Sequence, residues 1–113
     1  MTKTKRSSPR RSKYGAIRTQ VDGITFDSKK EAGRYVYLKG LQTAGEITDL
    51  ECHPPYDLFI EESKVCRYIA DFKYRDKHGV THVEDVKGVI TSIFRLKAKL
   101  MKILLNIDVE IVK

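Results

Sequence analysis

The chain has little from which to build a covalently stapled or membrane-anchored protein. It contains two cysteines, Cys52 and Cys66, fourteen positions apart and without a CxxC spacing, which argues against a disulfide framework and a paired zinc knuckle and fits a reducing cytoplasm. No run of twenty apolar residues occurs, and no apolar stretch follows the early basic residues, so neither membrane insertion nor secretion is expected. No internal repeat is visible. The first twenty residues contain no acid, and this absence carries the most information.

Those twenty residues hold seven bases: Lys3, Lys5, Arg6, Arg10, Arg11, Lys13 and Arg18. Of the 22 basic residues in the 113-residue chain, 15 then remain against 15 acids, so the whole net charge of +7 sits in this segment. Residues 1–13, with Ser7, Ser8, Pro9 and Ser12 among the charges, read as a flexible basic arm that cannot bury enough surface to fold alone. A solubilising tail is the bland reading. Charge this concentrated favours contact with DNA phosphates through Arg10, Arg11, Lys13 and Arg18. Such contacts position a protein without distinguishing bases. Tyr14, beside these charges, either stacks on a base or packs against the domain. Residues 14–113 suffice for one domain around one core and are too few for a two-domain enzyme.

Along that domain, Ile17, Val21, Ile24 and Phe26 flank Asp22-Gly23, a dipeptide suited to a tight primed hairpin turn. Ser28 with Glu31 three residues later makes a capping box for a helix running to about Thr43 and stopped by Gly45. Pro54-Pro55 breaks the chain before a strand at Tyr56–Ile60, and a second strand spans Val65–Tyr74. The turn Asp76-Lys77-His78-Gly79 returns the chain as a third strand, Val80–Lys87. A second helix runs from about Thr91 to Leu105, with Ile93, Leu96, Leu100, Leu104 and Ile107 as its expected core-facing stripe. Asp108–Val112 closes as a strand parallel to its neighbour across this helical crossover. The fold class is α/β: a single domain with a mixed sheet flanked by helices.

Strand periodicity puts Asp85 and Lys87 on one face of the third strand and Glu84 on the other. Asp71 interrupts the apolar run Tyr68-Ile69-Ala70-Asp71-Phe72, where a carboxylate is costly unless paired or bound to a cation. Asp71 and Asp85 are thus candidate neighbours on one hairpin, and a divalent metal resolves their repulsion. A salt-bridged strand pair is the plain alternative. Glu31 shares a helical face with Tyr35, Leu38 and Gln42, within about 40° of each, and so points inward. Capping alone also accounts for Glu31, and the two roles are compatible. Tyr35, Tyr68 and Phe72 read as core residues. His53, His78 and His82 with the two cysteines have spacings too irregular for a zinc site.

Together, Glu31 on a first helix, Ala70-Asp71-Phe72, and Glu84-Asp85-Val86-Lys87-Gly88 on the following strand resemble the PD-(D/E)XK nuclease superfamily. The likeness spans Tyr14 to Lys113. Lys13-Tyr14-Gly15, the helix start Asp27-Ser28-Lys29-Lys30-Glu31 and the ending Asp85-Val86-Lys87-Gly88 are similar to a family of small phage-encoded endonucleases within it. Holliday junction resolvases and transposon endonuclease subunits show a similar order of parts. A D-x-K tripeptide alone is a weak signal, whereas the order and context of these motifs are specific. One departure is Ala70, where the superfamily has a proline.

The resemblance implies a restriction-endonuclease-like αβββαβ core that hydrolyses DNA phosphodiester bonds. It implies that Asp71, Asp85 and the Val86 carbonyl bind Mg²⁺ or Mn²⁺, hard cations suited to oxygen ligands. Glu31 would ligate a second metal or its water, and Lys87 would hold the attacking water and offset phosphoryl charge. No small-molecule cofactor beyond the metal is implied. On the second helix Arg95, Lys99 and Lys102 recur at i, i+4 and i+7; a solvated face is the plain reading, and next to Lys87-Gly88 a DNA-contacting face is favoured. Selectivity for branched DNA such as Holliday junctions, in phage recombination, repair or packaging within a bacterial host cytoplasm, rests on the resemblance. Symmetric cutting of two strands implies a homodimer. Two other functions stay open: a non-catalytic DNA-binding protein, and an endonuclease subunit active only with a transposase or packaging partner.

Overall fold

The computed structural model describes residues 17–113, and Arg10, Arg11, Lys13, Tyr14 and the rest of the basic arm lie outside them. The chain divides into two compact units, one ending at Tyr37 and one running from Leu38 to Lys113.

In the first unit, β1 (Thr19–Val21) and β2 (Ile24–Phe26) form an antiparallel hairpin. Asp22 and Gly23 at its tip both have left-handed backbone, φ 54° and 77°, as a primed turn requires. Helix α1 (Lys29–Thr43) begins at the expected cap, where Ser28 Oγ accepts the Glu31 N–H at 3.1 Å. The return bond of the box lands one residue early, because Glu31 Oε1 accepts from the Asp27 N–H at 3.2 Å. Phe26 packs on Tyr35 with ring centroids 5.2 Å apart, and the Tyr35 hydroxyl donates to Asp22 at 2.9 Å, which ties the hairpin tip to the helix.

The second unit holds a mixed four-stranded sheet, a two-stranded sheet and helix α2 (Ser92–Leu105). The larger sheet has the order β3-β6-β7-β8, from β3 (Ile47–Cys52), β6 (Phe72–Asp76), β7 (Thr81–Val86) and β8 (Val109–Val112). Its first three strands are antiparallel, and β8 runs parallel to β7, as the helical crossover dictates. The smaller sheet pairs β4 (Pro55–Ile60) with β5 (Ser63–Ile69). The fold is α/β, as expected from sequence.

Three details depart from the expectation. Strand β3 has no counterpart in it, because Asp49 and Glu51 leave only Ile47 and Leu50 as strong apolar markers, and a register shift between Thr48 and Glu51 further blurs the alternation. The single strand Val65–Tyr74 is two strands in different sheets. The chain changes sheet at Ala70-Asp71, where the Ala70 N–H donates to the Pro54 carbonyl and the Asp71 N–H to the Glu84 carbonyl. On α2, which is capped by the Thr91 hydroxyl on the Phe94 N–H, the buried line is Phe94 and Met101, while Ile93 and Leu96 are more than half exposed. The core that Phe94 and Met101 complete contains Leu58, Tyr68, Ala70 and Val83, so it joins both sheets of this unit to the helix. Emptying the Phe94 position costs about 3–5 kcal/mol at such a junction.

Candidate active site

The change of sheet at Ala70-Asp71 sets the geometry around Asp71. A residue that continued a single strand would present its side chain to one sheet face, whereas Asp71 sits where β5 hands over to β6, its backbone bound to β7 through Glu84 and to residue 53 through the His53 N–H at 2.9 Å. Its carboxylate turns toward β7, and Asp71 Oδ2 accepts the Val86 N–H at 2.7 Å. Asp71 is therefore tied to the peptide that follows Asp85.

Asp85 is 2% exposed. Its Oδ1 lies 3.4 Å from Lys87 Nζ, two residues along the same face of β7. Its Oδ2 accepts a short hydrogen bond from the Tyr68 hydroxyl on β5. Burial, then the Asp85 carboxylate and then Asp71, push Tyr68 far above the ordinary tyrosine range, so its hydroxyl is a permanent donor to Asp85. Lys87 is one-third exposed and lies over the Phe94 ring, 4.8 Å from its centroid. Packing thus fixes this lysine on one side, and the other stays accessible.

Glu84 points away from this group. Its carboxylate is 2% exposed and accepts from the Tyr74 hydroxyl at 2.5 Å. On that face the His82 ring stacks on Tyr74, with centroids 5.1 Å apart, and gives one nitrogen to Asp76 at 2.8 Å and the other to Glu110 at 2.6 Å. That engagement removes His82 from any zinc set. Cys52 and Cys66 are not joined in a disulfide.

Glu31 is 4% exposed and serves the α1 cap in the first unit. Of the expected DNA-contacting residues, Arg18 lies 4.0 Å from Asp27 on an exposed surface. Arg95 and Lys99 are exposed on α2, and Lys102 is already paired with Asp108 at 3.1 Å.

Sequence reasoning assigned Tyr68 only to the core. Its hydrogen bond joins residues seventeen positions apart in different sheets, and strand periodicity contains no signal for that. His53 was likewise set aside with the irregular histidines. A ring nitrogen of His53 and a carboxylate oxygen of Asp71 lie within 4.8 Å of one another. An imidazole nitrogen and a carboxylate oxygen at that spacing are a donor pair of the kind a metal ion takes.

No helix among the described residues is long and apolar enough to cross a membrane. Comparison with family models gives a match over residues 11–111, most of the chain, to a family described as Protein of unknown function (DUF1064). No curated protein and no solved structure matches the chain.

Proposed function

We propose that this chain, which belongs to the DUF1064 family, is a metal-dependent endodeoxyribonuclease of the bacterial or phage-infected cytoplasm. The observation that carries the reading is the Asp71–Val86–Asp85–Lys87 constellation: a buried carboxylate with a lysine at 3.4 Å, and a second carboxylate bound to the intervening peptide at 2.7 Å. Stability alone gives no reason to gather two acids and a partly exposed lysine around one strand end.

Asp71, Asp85 and the Val86 carbonyl are the residues to hold Mg²⁺ or Mn²⁺. When bound, such a cation neutralises phosphodiester charge and lowers the pKa of water. Lys87, anchored against Phe94, orients the attacking water and meets negative charge as it grows on the phosphoryl oxygens. Tyr68 fixes the rotamer of Asp85 by its hydrogen bond and so keeps that carboxylate directed at Lys87. Glu31 joins the reading as a third acid on the strength of the sequence resemblance. The basic arm, Arg18, Arg95, Lys99 and Lys102 supply phosphate contacts without base reading. Branched DNA is the favoured substrate and a homodimer the favoured assembly, as symmetric cutting requires.

One observation favours a second reading, a non-catalytic DNA-binding protein: Asp85 already has Tyr68 and Lys87 as partners, which a structural acid also needs. The test is cleavage of a labelled four-way junction beside linear duplex and single-stranded DNA in Mg²⁺, Mn²⁺ and EDTA. Metal-dependent cutting that Lys87→Ala abolishes supports the nuclease. Binding without cutting in every metal overturns it for the isolated chain, and activity restored by a transposase or packaging partner identifies a dependent subunit.

A further inference from the structure

We propose that the His53 imidazole is a nitrogen ligand of the cation held at Asp71, and that the site therefore selects Mn²⁺ or a similar transition cation over Mg²⁺. The inference rests on the metal-site reading above and adds a residue and a selectivity to it.

His53 occupies the link between β3 and β4, and the backbone there is fixed by two bonds to the segment that carries Asp71. The His53 N–H donates to the Asp71 carbonyl at 2.9 Å, and the Ala70 N–H donates to the Pro54 carbonyl at 3.1 Å. The two candidate ligands are thus held by adjacent rungs of one backbone ladder. Their side-chain donors, an imidazole nitrogen and a carboxylate oxygen, lie within 4.8 Å of one another. Two ligands of one ion, each about 2.1 Å from it, lie up to about 4.2 Å apart. The pair is held at about that span. His53 also has a left-handed backbone, φ 56°, a conformation that histidine tolerates better than most residues.

The chemistry of the ligands sets the selectivity. Mg²⁺ is best served by oxygen ligands and water, whereas an imidazole among carboxylates suits first-row transition cations. Asp71 and Asp85 alone make a site suited to Mg²⁺. A nitrogen ligand from His53 strengthens Mn²⁺ binding and does little for Mg²⁺.

The experiment titrates the full-length protein with Mn²⁺ or Mg²⁺ alone, by calorimetry and by electron paramagnetic resonance. The variants are His53→Asn, in which asparagine accepts the left-handed backbone, and Asp71→Asn. Wild type is expected to bind Mn²⁺ more tightly than Mg²⁺. His53→Asn is expected to lose about tenfold in Mn²⁺ affinity with Mg²⁺ affinity nearly unchanged. Bound Mn²⁺ in wild type is expected to show spin-echo modulation from isotopically labelled histidine, and His53→Asn to abolish it. Wild-type Mn²⁺ without that modulation overturns the proposal even where the variant folds poorly. Loss of all binding in Asp71→Asn, with His53→Asn indistinguishable from wild type, overturns the role of His53 and leaves the metal site standing. Undiminished Mn²⁺ binding in Asp71→Asn overturns the metal-site reading and this inference with it.

Discussion

The two faces of the β6–β7 hairpin each bury a carboxylate against a tyrosine hydroxyl, yet they differ in everything else. On one face Glu84 meets Tyr74, with His82 stacked alongside between Asp76 and Glu110. On the other, Asp85 meets Tyr68, with Lys87 at 3.4 Å and Asp71 bound to the next peptide. A buried acid bonded to tyrosine is thus not by itself a mark of chemistry, because the same pair occurs on both sides of one strand. What distinguishes the Asp85 face is a partly exposed lysine beside its buried carboxylate, with a second acid bound to the strand's own peptide. The Glu84 face spends its charges on one another, whereas the Asp85 face keeps an accessible cation next to acids.

This contrast predicts opposite phenotypes for adjacent residues. On the nuclease reading, Asp85→Asn and Lys87→Ala lower metal-dependent cleavage by about a thousandfold in protein that still folds, read by circular dichroism. Glu84→Ala does the reverse: it leaves the buried Tyr74 hydroxyl without its acceptor and costs about 1–3 kcal/mol in denaturant unfolding, with cleavage at a permissive temperature largely kept. Equal loss of cleavage from Glu84→Ala in the folded protein would erase the distinction between the faces. The tyrosines make a finer comparison. Tyr68→Phe and Tyr74→Phe each remove one hydrogen bond to a buried acid and cost about 1.5–3 kcal/mol. Only Tyr68→Phe should also reduce cleavage, by about tenfold, because it frees the rotamer of Asp85. A matched fall in Tyr74→Phe would show that general loosening of the hairpin, rather than alignment of Asp85, sets the rate.

Much of the frame around these faces was legible in the sequence because it depends on neighbours along the chain. Asp22-Gly23, the Ser28–Glu31 cap and the Asp76 turn, whose carboxylate accepts the His78 and Val80 N–H groups at 2.8 and 3.0 Å, are all local devices. The alternation that separates Glu84 from Asp85 is local as well. The change of sheet at Ala70-Asp71 was not legible, because Tyr68–Tyr74 alternates like one continuous strand and the partners that divide it, Pro54 and Glu84, are remote in sequence. Of the line expected on α2, Leu100, Leu104 and Ile107 pack against the core, whereas Ile93 and Leu96 face outward and Phe94 and Met101 take the fully buried places. Apolar residues cover more than one side of that helix, so periodicity alone cannot choose between the line through Ile93 and Leu96 and the buried line through Phe94 and Met101. Tyr68 and His53 acquire their neighbours only when β5 and the β3–β4 link meet Asp85 and Asp71.

The smallest effect expected on the Glu84 face comes from His82. Asp76 first, and then Glu110, hold its ring charged to a higher pH than an ordinary histidine. A folded-state value raised above the unfolded one, about 6.5, contributes stability that is fully present below that pH and fades as pH rises through the folded value. Asp76 works in the opposite direction: the His82 ring and then the Val80 N–H hold its carboxyl below the ordinary range, so its contribution is present above about pH 4 and fades as pH falls through the folded value. The His82–Asp76 contact therefore stabilises most between about pH 4 and 6.5. Wild type should melt above His82→Gln in that window, and the two curves should converge in mildly alkaline buffer, with cleavage at fixed pH the same in both. A gap that persists at alkaline pH would assign the effect to stacking of the ring on Tyr74, 5.1 Å between centroids, instead of to its charge. A pH-dependent gap in cleavage as well would mean that His82 acts through β7 on Asp85, and the two faces of the hairpin would then no longer be independent.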